Sequence, residues 1–266
     1  EVEMEDIFLE DMDRDPLSND LYLHYKSLEA STSVSPAYML NQPDITPQMR
    51  AILIDWLIQV HHKFQLRQET LFLTVNLIDR FLALQSIPRN KLQLVGLVAL
   101  LLAAKYEEVA VPAVEDLVFI SDRAYSRADL LEMERLMLNK LHFNLSLPTP
   151  YVFLTRFLAA AEKSERLERL AFFFAELCLV EYGMLRYSAS MVAAAAVYAA
   201  RATAAGRRLE ERWTTEYCED ELLMGCVEEM VGLHERAGSG KLTGVYRKYN
   251  CSEMGFVAGA EPGRYI

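Results

Sequence analysis

Two stretches, "KLQLVGLVALLLAAK" (residues 91–105) and "RYSASMVAAAAVYAAR" (186–201), decide the fold. Each is long, apolar on every side of a helix and bracketed by cations. A surface helix buries one face and wets the other, so a helix apolar all round belongs inside a ring of others. The two are offset by 96 residues when Lys105 is set on Arg201. Their surroundings repeat as well. Each follows an amphipathic helix, "QETLFLTVNLIDRFLAL" (68–84) and "ERLERLAFFFAELCLVEY" (165–182). Each precedes a short apolar segment and then a charged helix, "SRADLLEMERLMLNKL" (126–141) and "CEDELLMGCVEEMVGLHERA" (218–237). The pattern predicts an all-α chain of two tandem five-helix units, each wrapped around its own third helix, with an extra N-terminal helix. "LPTP" (147–150) is the expected linker, because each proline forces its predecessor away from helix.

Composition sets further bounds. The 266 residues are 52% hydrophobic, enough for large cores. No apolar run is long enough to span a bilayer, so a soluble chain without membrane contact is expected. The chain begins at Glu1 with no signal-like segment, which reads as a piece of a longer protein. Cys178, Cys218, Cys226 and Cys251 lack metal or redox spacing and read as reduced, mostly buried thiols. Residues 1–40 hold ten carboxylates against Arg14 and Lys26, so they carry −8 of the net −11. An acidic end on a near-neutral body argues against nucleic acid. Residues 1–19 read as an acidic, flexible segment.

Several catalytic-looking motifs fail. "GSGKLTG" (238–244) has Leu242 where a phosphate loop needs Ser or Thr, no first glycine, and no helix expected after it. "HERAG" (234–238) lacks the second histidine of a zinc helix. Adjacent His61 and His62 diverge on a helix and cannot share a metal. No nucleophile stands beside a base, and the acidic run 5–15 has no second motif of its kind to hold a metal. No enzyme, metal or cofactor is indicated. Arg50, Asp79, Lys105 and Glu134 are charges inside otherwise apolar helices. Such charges need partners, and the pattern favours an internal structural network over a functional one. "MRAILIDWL" (49–57) aligns Met49, Leu53 and Trp56 on one stripe and has apolar residues on its other sides. It is either a central helix or one with a second face for a partner.

Taken together, "MRAILIDWL", "LIDRFL", "KLQLVG", "AAKYEE" and "MERLMLNKLHF" resemble the cyclin box of an A- or B-type cyclin. "YMLNQPDITPQMRAIL" (38–53) and "GKLTGVYRKYN" (240–250) are most similar to mitotic B-type members. The resemblance implies a cyclin box with its preceding helix over 20–147, a second cyclin fold over 148–250 and a tail over 251–266. It implies a noncatalytic activating subunit of a cyclin-dependent Ser/Thr kinase at G2/M, in nucleus and cytoplasm. Lys105 and Glu134 match the pair that hydrogen-bonds the kinase backbone beside its C-helix. Leu102, Tyr106, Leu138 and Phe143 match the apolar residues packed on that helix, and Leu21 an N-terminal contact. His24 departs from the family, which carries Tyr there. Met49, Leu53, Trp56, Arg89 and Gln93 match a patch that docks Arg-x-Leu segments of substrates and inhibitors. Gln59 stands where A-type members carry an acid. Arg50, Asp79 and Leu94 match internal bracing positions. The alternatives are an A-type cyclin or a cyclin-box protein of basal transcription, the latter disfavoured by charge.

Overall fold

The structure is a computed structural model and describes residues 16–161, 164–206 and 221–263. Helix α1 (Pro16–Thr32) comes first. Then follow α2 (Pro47–Lys63), α3 (Gln68–Leu84), α4 (Leu92–Glu107), α5 (Val114–Ile120) and α6 (Arg127–Lys140). The rest comprises α7 (Pro150–Ala160), α8 (Glu165–Val180), α9 (Ala189–Ala205), α10 (Glu221–Ala237) and the short α11 (Gly244–Tyr249). No strand occurs among the described residues. None of their helices is long and apolar enough to cross a membrane.

Local chemistry sets several helix starts. Proline occupies the first position of α2 and α7, where its missing N–H costs no bond. The Thr46 and Ser188 side chains accept from Met49 and Met191 N–H at the starts of α2 and α9. Ser126 and Asp129 form a reciprocal capping box on α6.

Helix α4 is buried without a break from Leu94 to Ala104, and α9 from Ser190 to Ala200. Each is the central helix of its unit. Close packing on α4 needs Gly96, where an added Cβ would lie 2.8 Å from Leu53 Cδ1 of α2. The first compact unit comprises Val34–Leu147 together with Leu179–Arg186. The second takes the chain up to Ser33, Pro148–Cys178 and everything from Tyr187. The division between Leu147 and Pro148 falls inside "LPTP".

Three expectations need correction. Helix α1 packs with the second unit rather than with the cyclin box that follows it. Tyr22 meets Phe153 and Phe157 edge-on at 6.0 and 6.3 Å, under the Arg156 guanidinium at 4.6 Å. Glu29, counted by sequence with the acidic end, is buried. It accepts from the Ser190 N–H at 2.6 Å and Oγ–H at 2.8 Å, satisfying a donor in the first turn of α9. Nor are residues 251–263 a loose tail. Val257 and Ala258 are buried, His234 Nε2–H donates to the Ala258 carbonyl at 3.0 Å, and Gly263 N–H donates to Thr203 Oγ1 at 3.3 Å. Finally, α11 begins directly after the "GSGKLT" loop, with Gly244 and Val245 buried. The acidic run 1–15, Cys218 and the segment expected to hold the fourth helix of the second unit lie outside the described residues.

Candidate functional site

The four charges embedded in apolar helices separate into two kinds. Arg50 and Asp79 are both buried and make a bidentate pair, Nε–Oδ1 at 2.6 Å and Nη2–Oδ2 at 2.7 Å. Tyr38 Oη–H donates to Asp79 Oδ1 at 2.8 Å, and Arg50 Nη1 donates to the Leu179 carbonyl at 3.0 Å. Tyr182 lies 5.8 Å from the guanidinium and edge-on to Tyr38. Burial works against the Arg50 charge, but the facing Asp79 carboxylate outweighs it and holds the proton more firmly than usual. Burial, then Asp79, pushes the Tyr38 phenol far up. This network ties α2, α3 and residues 179–182 together. Leu94 is buried in the same core.

Lys105 and Glu134 are paired at the surface. Lys105 closes α4, which packs along α6, and its Nζ donates to Glu134 Oε1 at 2.6 Å. The lysine side chain is 46% exposed and the glutamate 14%. Beside them Tyr106 is 49% exposed and Phe143 66%, while Leu138 is partly buried against the core. Leu102, at 3%, lies inside the core one turn below Tyr106 and supports the face from beneath. Phe143 adopts φ of 56° in the turn that ends α6, its N–H donating to the Leu138 carbonyl at 2.9 Å. Such a conformation in a bulky residue costs about 1–3 kcal/mol, and here it leaves the ring in solvent. Val109, Val111 and Phe119 are exposed on the α4–α5 connection and α5. Leu21 and His24 are exposed on α1 and therefore belong to the second unit.

The "MRAIL" stripe is half core and half surface. Met49 and Trp56 are partly buried and pack against the core from outside; Leu53 is buried and touches the Gly96 position. Ile52, a turn from both Met49 and Trp56, is exposed and completes the stripe. Its i+3 spacing from Met49 and i−4 spacing from Trp56 was the signal available in the sequence. Gln59 is exposed, and its amide donates to the Asp55 carboxylate one turn earlier at 3.2 Å. Arg89 is held by Asp44, backbone N–H to Oδ2 at 2.7 Å and Nε to Oδ1 at 2.6 Å, so it is fixed rather than free. The hydrogen bonds from Arg89 hold the Asp44 carboxyl below its usual range. Gln93 is partly exposed.

Sequence reasoning missed two acids, one buried and one partly exposed. In the second unit Glu176, wholly buried, accepts from Lys248 Nζ at 2.5 Å and Tyr249 Oη at 2.6 Å. In the first, Glu108 accepts from Arg67 N–H at 2.7 Å and Thr70 Oγ1 at 2.5 Å, fastening the end of α4 to the start of α3. His61 is buried, with Nε2–H donating to the Arg67 carbonyl at 2.7 Å, and His62 is exposed. Among the described residues no three metal-type side chains gather. Cys178 and Cys226 are buried thiols that take part in no disulfide.

The family models described as "Cyclin, N-terminal domain" and "Cyclin, C-terminal domain" match residues 20–146 and 148–262. "G2/mitotic-specific cyclin-2" of Medicago sativa is 58% identical over 250 residues, covering 93% of this chain and 76% of that protein. "Cyclin-B2-4" of Arabidopsis thaliana is 56% identical over 254 residues, covering 93% of this chain and 58% of the relative. "Cyclin-B2-1" of Oryza sativa subsp. japonica is 56% identical over 253 residues, covering 93% and 59%. The chain thus spans between 58% and 76% of the lengths of these curated relatives. A viral cyclin from herpesvirus saimiri superposes with a TM-score of 0.67 over 86% of this chain and 99% of that one. At 20% identity that likeness shows the fold alone. Two helical units, each closed around a buried central helix, define a tandem cyclin-fold protein. The chain belongs to the cyclin family, and within it resembles the mitotic B type. Cyclins are regulatory subunits and not enzymes.

Proposed function

We propose that the chain is the activating subunit of a cyclin-dependent Ser/Thr kinase acting at G2/M, present in nucleus and cytoplasm. The observation that carries the reading is the surface pair Lys105–Glu134 flanked by exposed Tyr106 and Phe143. An ammonium and a carboxylate held side by side offer a donor and an acceptor to backbone groups at the end of the kinase C-helix. The aromatic side chains beside them bury on that helix, each large apolar group contributing about 1.5–3 kcal/mol. Placing the helix lets its glutamate pair with the lysine that orients ATP phosphates, and frees the activation loop.

The second element is substrate docking. Met49, Ile52, Leu53 and Trp56 offer an apolar seat for the leucine of an Arg-x-Leu segment. Gln59, backed by the Asp55 carboxylate, receives its arginine. Because Gln59 is neutral, that contact is weaker than an acid there would make.

The test is kinase activation by Lys105→Ala and Glu134→Ala. Each variant should fold normally and lose about 30-fold or more in kinase affinity, the effect of removing a charged hot spot. Near wild-type activation by either soluble variant would sink the reading.

A further inference from the structure

The motif "LIDRFL" sets Asp79 and Arg80 side by side on α3, in opposite situations. Asp79 is fully engaged by Arg50 and Tyr38. Arg80 is half-buried, and its one partner among the described residues is the Asn144 carbonyl, which accepts from Nη1 at 2.9 Å. Burial lowers its proton affinity, with no acid paired to it among the described residues. One turn earlier on the same face, the Asn76 Oδ1 atom is buried without a partner. A guanidinium brings five N–H donors in a planar fork, and a carbonyl occupies one direction of it. The carbonyl that Arg80 holds belongs to the residue after Phe143. The arginine therefore stands beside the turn that carries the exposed Phe143.

We propose that Arg80 receives a carboxylate of the bound kinase, a second and charge-based anchor beside that turn. The inference rests on the kinase-binding reading. A carboxylate meets the fork through two N–H groups at once and neutralises the charge, whereas a peptide carbonyl does neither. The free chain then carries a partly desolvated cation whose missing partner arrives with the kinase.

The test is binding of a purified cyclin-dependent kinase to the wild-type chain, Arg80→Gln, Arg80→Lys and Lys105→Ala, by surface plasmon resonance at low and high salt. Glutamine keeps a donor for the Asn144 carbonyl but removes the charge. Arg80→Gln should bind about 10-fold more weakly at low salt, mainly through a slower on-rate, and the deficit should shrink as salt screens the pair. Arg80→Lys should fall by only about 3-fold, since a point charge replaces the fork. Wild-type affinity in whichever of the two folds, with Lys105→Ala still impaired, overturns the role of Arg80 and leaves kinase binding standing. Failure of the wild-type chain to bind, or full binding by Lys105→Ala, overturns the kinase reading and the Arg80 contact with it.

Discussion

Arg50 and Lys105 carry the same charge in two helices of one unit, yet their loss should be felt in opposite assays. Arg50→Ala would strand the Asp79 carboxylate in the core with only the Tyr38 hydroxyl. Breaking a buried pair costs about 3–5 kcal/mol, so urea denaturation should show that loss with kinase binding falling in proportion. Lys105→Ala removes an exposed pair worth less than about 1 kcal/mol, so stability should barely move while binding goes. Trp56→Ala falls between them. Activity toward an Arg-x-Leu substrate should drop about 30-fold, a loss of roughly 2 kcal/mol, with activity on a short undocked peptide near normal. Equal loss on both substrates would mark the stripe as core alone. His234 gives a titration. Its ring lies edge-on to Phe173 and Phe174, and burial holds the imidazole below its usual range despite the bond to Ala258. The unfolded chain therefore takes up a proton first, and stability declines as pH falls below about 6.5 toward the lowered folded value. Thermal melts across that window should show the decline, and His234→Gln should flatten it.

Between elements, the contact of α2 with α4 decides how the docking stripe is presented. Gly96 lets α4 approach until Leu53 fills the space a side chain would take. Gly96→Ala gains about 1 kcal/mol of helix propensity but presses on Leu53, and overpacking costs about 1–3 kcal/mol. The net stability change should be small, because the atoms in the way are the side-chain ends of two leucines, Leu53 and Leu57. The displaced Leu53 should instead weaken an Arg-x-Leu peptide several-fold, measurable by fluorescence polarisation. An unchanged peptide affinity would show that Leu53 does not shape the groove. Gly96 and its helix were legible as core from "KLQLVG". That Arg89, expected in the patch, is clamped by Asp44 was not, because an exposed arginine looks the same in sequence whether held or free.

At the scale of the molecule, the two units are not two halves of the sequence. The second takes in α1 from before the first, and the first takes in residues 179–186 from within the second. Removing residues 1–33 should therefore leave the first unit intact and loosen the second, where Tyr22 and Glu29 are lost from α7 and α9. Hydrogen exchange should show faster amides in α9 and unchanged protection in α4. Faster exchange across α2–α6 would contradict this division.

The sequence by itself determined the helical class, the repeat, the two central helices and the break at "LPTP", because these depend on periodicity and proline geometry, which act over a few residues. It separated Lys105 and Glu134, proposed to face the partner, from the bracing Arg50 and Asp79 only through resemblance, since all four are charges in apolar helices. Their difference is solvent access, which tertiary packing sets. Packing also decided that Glu29 serves the start of α9, 161 residues away, and that Leu102 lies beneath the face while Phe143 stands on it. Hydrophobic pattern tells which side chains leave water. Which partner a buried polar atom meets depends on contacts that form only when distant helices close on one another.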